Sequence, residues 1–241
     1  MFTTSLALSR HFARTGLSLV VEPRPLDADR GVFSAEIVQL DIARDRLRER
    51  YRLFPGNTQT NRLDVTSADR QERQLVLLID EPARSATMTG RVRHFLCGQD
   101  EAHLFIAQLP REVSSVHDAH DALAPEIPPE YDRGLVRRQG EWFFMPVTLS
   151  ERGELNMLST RLIRSGGLAE IARIRRRGRQ HLATEGCLLD GARLYARGQI
   201  WHPDHRPLAL RGWHRVLMNR EPFDPIVVRR GKRTRTVRWV D

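Results

Sequence analysis

The sequence predicts a strand-rich α+β protein built of antiparallel sheets and hairpins with a few helices, in two similar lobes. Three observations carry this. Short apolar or alternating runs bounded by turn formers recur along the 241 residues, with "LVLLI" at 75–79 the densest. Few segments show helical periodicity. A proline-rich stretch, "APEIPPEYDR" at 124–133, reads as a hinge between a lobe at 1–123 and a lobe at 134–241.

Residues 1–15 read as a first helix, and "GLSLVVEPRP" as a strand closed by proline. "VFSAEIVQLD" is strand-like. "IARDRLRERYRLF" (42–54) fits either a helix or a strand ending at the "PGN" turn. "RLDVTSADRQERQLVLLIDEP" gives a strand, a polar turn and a buried strand. Two strands at 86–96 and 103–109 flank "CGQDE". "SVHDAHDALAPEIPPEY" is a short helix capped by Ser114 or Ser115 and stopped by Pro125. "RRQGEWFFMPV" is a turn and an aromatic strand covered on both faces. Residues 160–184 carry a helical stripe of Leu168, Ile171, Ile174 and Leu182, with Arg173, Arg175, Arg176, Arg177 and Arg179 on the polar arc. "YARGQIWHPDHRPLALRGWHRVLMN" is a long hairpin, and the tail "VVRRGKRTRTVRWV" partly alternates. "GRVRH" at 90–94 echoes "GQIWH" at 198–202, each read as opening a strand before a turn; this echo supports two similar hairpin units, one per lobe.

Two cysteines, Cys97 and Cys187, make neither a disulfide framework nor a CxxC motif. A cytoplasmic location is the default. No apolar run approaches the roughly 18 residues of a membrane span, so no membrane partner is expected. The acid-poor N-terminus has a loose transit-peptide character, but a plain helix and strand account for it.

Charge is unevenly placed. Net charge is +9, and Lys232 is the single lysine among 39 cationic residues. Residues 1–150 hold 19 arginines against 21 acids, whereas residues 151–241 hold 20 cationic residues against 9 acids. A GC-rich genome explains arginine over lysine, but not this asymmetry. The asymmetry points to a polyanion-binding face. The leading expectation is therefore RNA or DNA backbone binding, as in a nucleoprotein assembly. The contacts would come from the five helical arginines together with Arg229, Arg230, Lys232, Arg233 and Arg235. Trp201, Trp213 and Trp239 are candidates to stack bases.

Two other classes remain. One is a nuclease or hydrolase. A turn centred on Gly98–Glu101 sets Cys97 opposite His103, with Asp100 or Glu101 to orient the imidazole, as a thiol nucleophile requires. Alternatively, a metal is held by His202 and His205 of "HPDH", with Asp204 nearby. There a "PDHRP" turn sets His202 opposite Leu208 and carries His214 on the order of 20 Å away along its strand. His117 and His120 share a helical face, a weak pattern. HExxH, Walker A, GxSxG and GxGxxG are absent. The other class is a protein–protein adaptor meeting an acidic partner. No particular cofactor is indicated, and whether the chain is an enzyme is left open.

Overall fold

A computed structural model describes residues 2–23, 26, 37–45, 48–83, 90–157, 163–164, 181–222, 226–230 and 233–237. The protein is α+β and strand-rich, and its sheets are antiparallel apart from one strand pair. It divides into two compact units, residues 1–123 with 220–241, and residues 124–219. Among the described residues no helix is long and apolar enough to cross a membrane.

In the first unit, helix α1 (Phe2–Arg14) leads into β1 (Leu19–Val21). Strands β2 (Gln39–Arg44) and β3 (Glu49–Phe54) form a hairpin, and β1 joins it parallel to β3. Within the ambiguous stretch 42–54, Ile42–Arg44 lie in β2 and Glu49–Phe54 form β3. Its charged residues flank Tyr51 and Leu53, which alternate inward in β3 and are buried.

Four further strands, β4 (Arg62–Asp69), β5 (Gln74–Glu81), β6 (Arg91–Asp100) and β7 (His103–Gln108), form a meander. Strand β5 shows why its sequence is so apolar. Leu75, Leu77 and Ile79 join Phe12, Leu40 and Tyr51 in one core, while Val76 faces a second core against helix α2 (Val116–Leu123). Both faces are covered, so alternation with polar residues is lost. Ser115 is the N-cap of α2, its hydroxyl accepting from the Asp118 N–H at 3.0 Å.

The second unit is a six-stranded sheet. In chain order its strands are β8 (Arg137–Gln139), β9 (Trp142–Pro146), β10 (Ile163–Arg164), β11 (Leu182–Leu189), β12 (Arg193–His202) and β13 (His205–Met218). Their spatial order is β10-β11-β12-β13-β9-β8. One face packs Trp142, Phe144, Ala183, Ala196, Ile200 and Val216. The other carries Tyr195, Trp213 and Cys187 with Leu155 of α3 (Leu149–Met157). Helix α3 begins with a capping box. The Thr148 N–H donates to Glu151 Oε2 at 3.0 Å, and the Glu151 N–H returns to Thr148 Oγ1 at 3.3 Å.

The helix expected over 160–184 falls largely outside the described residues, as do Arg173, Arg175, Arg176, Arg177, Arg179 and Lys232. Leu182 is not helical but opens β11. A final hairpin, β14 (Ile226–Arg230) and β15 (Arg233–Val237), sets Arg230 in register with Arg233 and Val228 with Arg235. The two echoed pentapeptides are not equivalent. "GRVRH" lies at the start of β6, whereas "GQIWH" closes β12 at its turn. Within it, Gly198 has φ +85° at a bulge, and a Cβ there would meet Thr184 Cβ at 2.6 Å. No side-chain-bearing residue fits that backbone without strain.

Candidate metal centre

Strands β12 and β13 join through a two-residue turn, Pro203–Asp204, that pairs His202 directly with His205. The turn is tighter than "PDHRP" implies, so Leu208 pairs with Ile200 and not with His202. On the other side of β12, Leu182 pairs with Trp201 and Ala183 with Ile200. One step further along this ladder, His181 comes beside His202. Directly opposed residues of an antiparallel ladder share a face. The three imidazoles therefore line the same face at the end of three adjacent strands, just beyond the apolar core residues Ala183 and Ile200.

The rings are close. Centroids of His181 and His202 are 4.3 Å apart and stacked, those of His202 and His205 5.0 Å, and those of His181 and His205 5.6 Å. One ring nitrogen from each falls within 4.8 Å of the other two. The β8–β9 turn closes the cluster from the side. Gly140 there has φ +56°, and a Cβ on it would meet His205 Nε2 at 2.8 Å and His181 Nε2 at 3.3 Å. Glycine thus leaves room where two ring nitrogens converge. Gln139 ties this turn to β13, its amide donating to the Arg206 carbonyl at 2.6 Å.

His181 is 2% exposed, and among the described residues neither of its ring nitrogens has a hydrogen-bond partner. Trp142 covers it, with ring centroids 6.2 Å apart. Leaving a buried polar group unpaired costs about 1–3 kcal/mol, so such a group calls for a partner. Glu141 Oε1 lies 3.9 Å from His181 Nδ1, beyond hydrogen-bond distance but in the place of an orienting carboxylate. His202 Nδ1 accepts from the Asp204 N–H at 3.2 Å, with Asp204 Oδ2 at 4.0 Å.

Burial pushes the His181 imidazole down to about 2, helped by repulsion from His202 and His205. It is therefore neutral at pH 7, the form that ligates metal. The unfolded chain takes up a proton here below about pH 6.5, and the folded chain does not. Chelator-treated protein should then lose up to about 1.4 kcal/mol of stability per pH unit below that point. Urea midpoints at pH 7 and pH 5 check this, and equal midpoints would contradict the buried neutral imidazole.

Three imidazole nitrogens within 4.8 Å of one another supply the ligand count of a zinc-class ion, which is bound at about 2.0–2.1 Å with a fourth position left for water; the stacked rings would turn to aim their nitrogens at it. Such an ion lowers the pKa of its water and polarises a bound oxygen. The His202 side chain is only 9% exposed, but His205 is partly buried and leaves the centre open to solvent on its side. No family model, curated protein or solved structure matches the chain.

Among the described residues, Cys97 and the other candidate histidines are not assembled into a site. The β6–β7 turn is Glu101–Ala102, so Asp100 pairs with His103 and Cys97 with Ile106. The expected Cys97–His103 opposition is a register error of three residues. Cys97 is fully buried and burial pushes its thiol up, the reverse of nucleophile activation. His103 instead bonds Glu49, Nδ1 to Oε1 at 2.9 Å, while the Leu104 N–H donates to Glu49 Oε2. His120 bonds Gln74 at 2.6 Å and His117 lies 3.7 Å from Asp121. His214 pairs with Ala196 and Pro146, away from the turn. Arg229, Arg230, Arg233 and Arg235 lie on the β14–β15 hairpin. Trp239 lies outside the described residues; Trp213 is buried under Arg197, whereas Trp201 is 39% exposed.

The sequence reading named His202 and His205 but missed His181. One signal for it exists. "HLATEGCLL" is the strand that precedes "RLYARGQIWH"; counting back from Leu189 opposite Arg193 sets His181 opposite Trp201, and the bulge between Ala183 and Glu185 moves it onto His202.

Proposed function

We propose that this protein binds one zinc-class divalent metal ion through His181, His202 and His205. The observation that carries this is the buried, unpartnered His181 imidazole, within ligand distance of two histidines on the neighbouring strands. An ion gives one of the two unpaired His181 nitrogens a partner and unites the three rings. Three ligands with solvent access are the ligand count of a hydrolytic metal site, which favours the hydrolase class over a purely structural centre. Titrating chelator-stripped protein with zinc by calorimetry should give saturation at one ion per chain. Absence of a saturable stoichiometric phase would reject the centre.

A second reading concerns the basic C-terminal portion. Its charge excess supports RNA or DNA backbone binding, separate from the metal. Changing Arg175, Arg176, Arg177 and Arg179 to glutamate should weaken binding to a random-sequence oligonucleotide at low salt by tenfold or more and flatten its salt dependence. Unchanged affinity would remove these residues from the interface.

A further inference from the structure

Strand β13 carries a second irregularity, well away from the three histidines. Between the pairs Leu210–Gly198 and His214–Ala196 it has three residues, Arg211, Gly212 and Trp213, where β12 has only Arg197. Gly212 has φ +107°, a backbone that disfavours any side chain. The bulge takes Arg211 and Trp213 out of the ladder's alternation. Bulges of this kind re-aim side chains beside functional sites.

A cleft of about 790 Å³ opens at this bulge. Arg211, Trp213 and His214 line it from β13, Arg137 from β8, and Arg152 and Asn156 from α3. Among the described residues its lining includes three guanidinium groups and no carboxylate. Helix α3 sorts its residues accordingly. Glu151 and Leu155 turn inward and are buried, while Arg152 and Asn156, four apart on another face, are exposed to the cleft. Of the two acids on α3, Glu151 is withdrawn into the core and Glu154, outside the cleft lining, pairs with Arg193 at 3.1 Å.

Two of the walls are fixed. The Arg137 guanidinium donates to the Ala209 carbonyl at 2.8 Å, and the Val147 N–H donates to the Trp213 carbonyl at 3.1 Å. Arg197 covers the Trp213 ring at 4.7 Å and is held by Glu185 at 2.6 Å. The indole is therefore a wall and not a free stacking platform. What the cleft offers is planar, multidentate N–H donors, the geometry that suits tetrahedral oxyanions.

We infer that this cleft binds a phosphate-class anion through Arg137, Arg152 and Arg211. The ligand is either a small phosphorylated molecule or a phosphate of a nucleic-acid backbone. The proposal depends on neither the metal centre nor the arginines at 173–179 and 229–235.

The test is calorimetric titration of the full chain with inorganic pyrophosphate and, separately, with a short oligothymidylate. Arg152→Gln combined with Arg211→Gln should weaken binding by about tenfold for each guanidinium removed. Both side chains are exposed, and a matching thermal melt verifies folding. Arg152→Gln alone serves if the pair does not fold. Arg62→Gln, which removes an exposed guanidinium on β4, should leave the isotherm unchanged. Saturable pyrophosphate binding lost in the cleft variant supports a small ligand. Binding of the oligonucleotide alone, weakened by the same variant, supports the polymer. Binding of neither probe, or isotherms unaffected by the cleft substitutions, overturns the proposal.

Discussion

Replacing His181 with alanine is expected to weaken zinc affinity by a hundredfold or more, and with it the thermal stabilisation that zinc gives. Removing one of three protein ligands leaves only the His202–His205 pair across a two-residue turn. Carboxylates that merely orient a ligand cost about 10–100-fold when removed, and loss of a ligand itself exceeds this. The metal-free variant behaves differently. His181 makes no hydrogen bond among the described residues, so its removal breaks none and relieves an unpaired buried imidazole. At a zinc concentration of about 100 times Kd, the natural protein should gain about 2.7 kcal/mol. The variant should gain little at the same concentration. His214→Ala is the control, because His214 lies on β13 beside Pro146 and Ala196, away from the turn. A His181→Ala protein that keeps full zinc affinity would show that the three rings are only stacked.

Glu151→Ala should cost about 3 kcal/mol of folding stability, the largest loss expected from a single polar substitution in the second unit. Glu151 is 7% exposed, and its carboxylate is the acceptor for an entire network. Tyr195 donates to Oε1 at 2.6 Å, Tyr131 donates to the same oxygen, and the Thr148 N–H donates to Oε2. Arg215 in turn donates to the Tyr131 hydroxyl at 3.2 Å. Burial pushes the Glu151 carboxyl up, but the hydrogen bonds from the tyrosines and Thr148 outweigh it and hold it below its ordinary value. The same contacts raise the Tyr131 hydroxyl to about 12, burial being the larger cause. Alanine removes the carboxylate half of the α3 capping box and the acceptor of two buried hydroxyls. Denaturant midpoints measure the loss. Glu151→Gln keeps an acceptor oxygen and should cost clearly less, and equal losses for the two substitutions would contradict the network. The depressed carboxyl sets a pH sign as well. Its stabilisation is present above the unfolded value of about 4.3 and is lost as pH falls through the lower folded value.

Much of the fold is legible in local pattern. Leu75, Val76, Leu77 and Ile79 form an apolar run because both faces of β5 are covered. Ser115 and Asp118 announce the start of α2. The α3 helix carries a capping-box signal, Thr148 with Glu151 three residues on, but the stretch is otherwise short and polar and lacks an apolar stripe. The stretch 42–54 was ambiguous because Leu47 and Tyr51 fit a helical step while Tyr51 and Leu53 fit a strand step. Burial of the latter two in one sheet decided it.

The site was less legible, and the reason is register. The sequence suffices to say that "HPDH" forms a turn and that cysteine and histidine flank "GQDEA". It does not say where each turn begins. A tight turn at Glu101–Ala102 carries Cys97 three residues from His103, while one at Pro203–Asp204 brings His202 onto His205. The third histidine needed a strand partner 21 positions away. Nothing local marks such a partner, because cross-strand proximity depends on the accumulated register of the whole ladder, bulges included.

The sequence by itself determined the α+β class, most of the strands and helices, the uneven charge and two of the three clustered histidines. These follow from residue spacing, turn chemistry and composition, which act over a few neighbours. Tertiary structure alone decided that His181 joins His202 and His205, that Gly140 leaves room beside them, and that Arg137, Arg152 and Arg211 share a cleft. Those are contacts between distant segments, set by which strands pair and in what register once the apolar faces have been buried together.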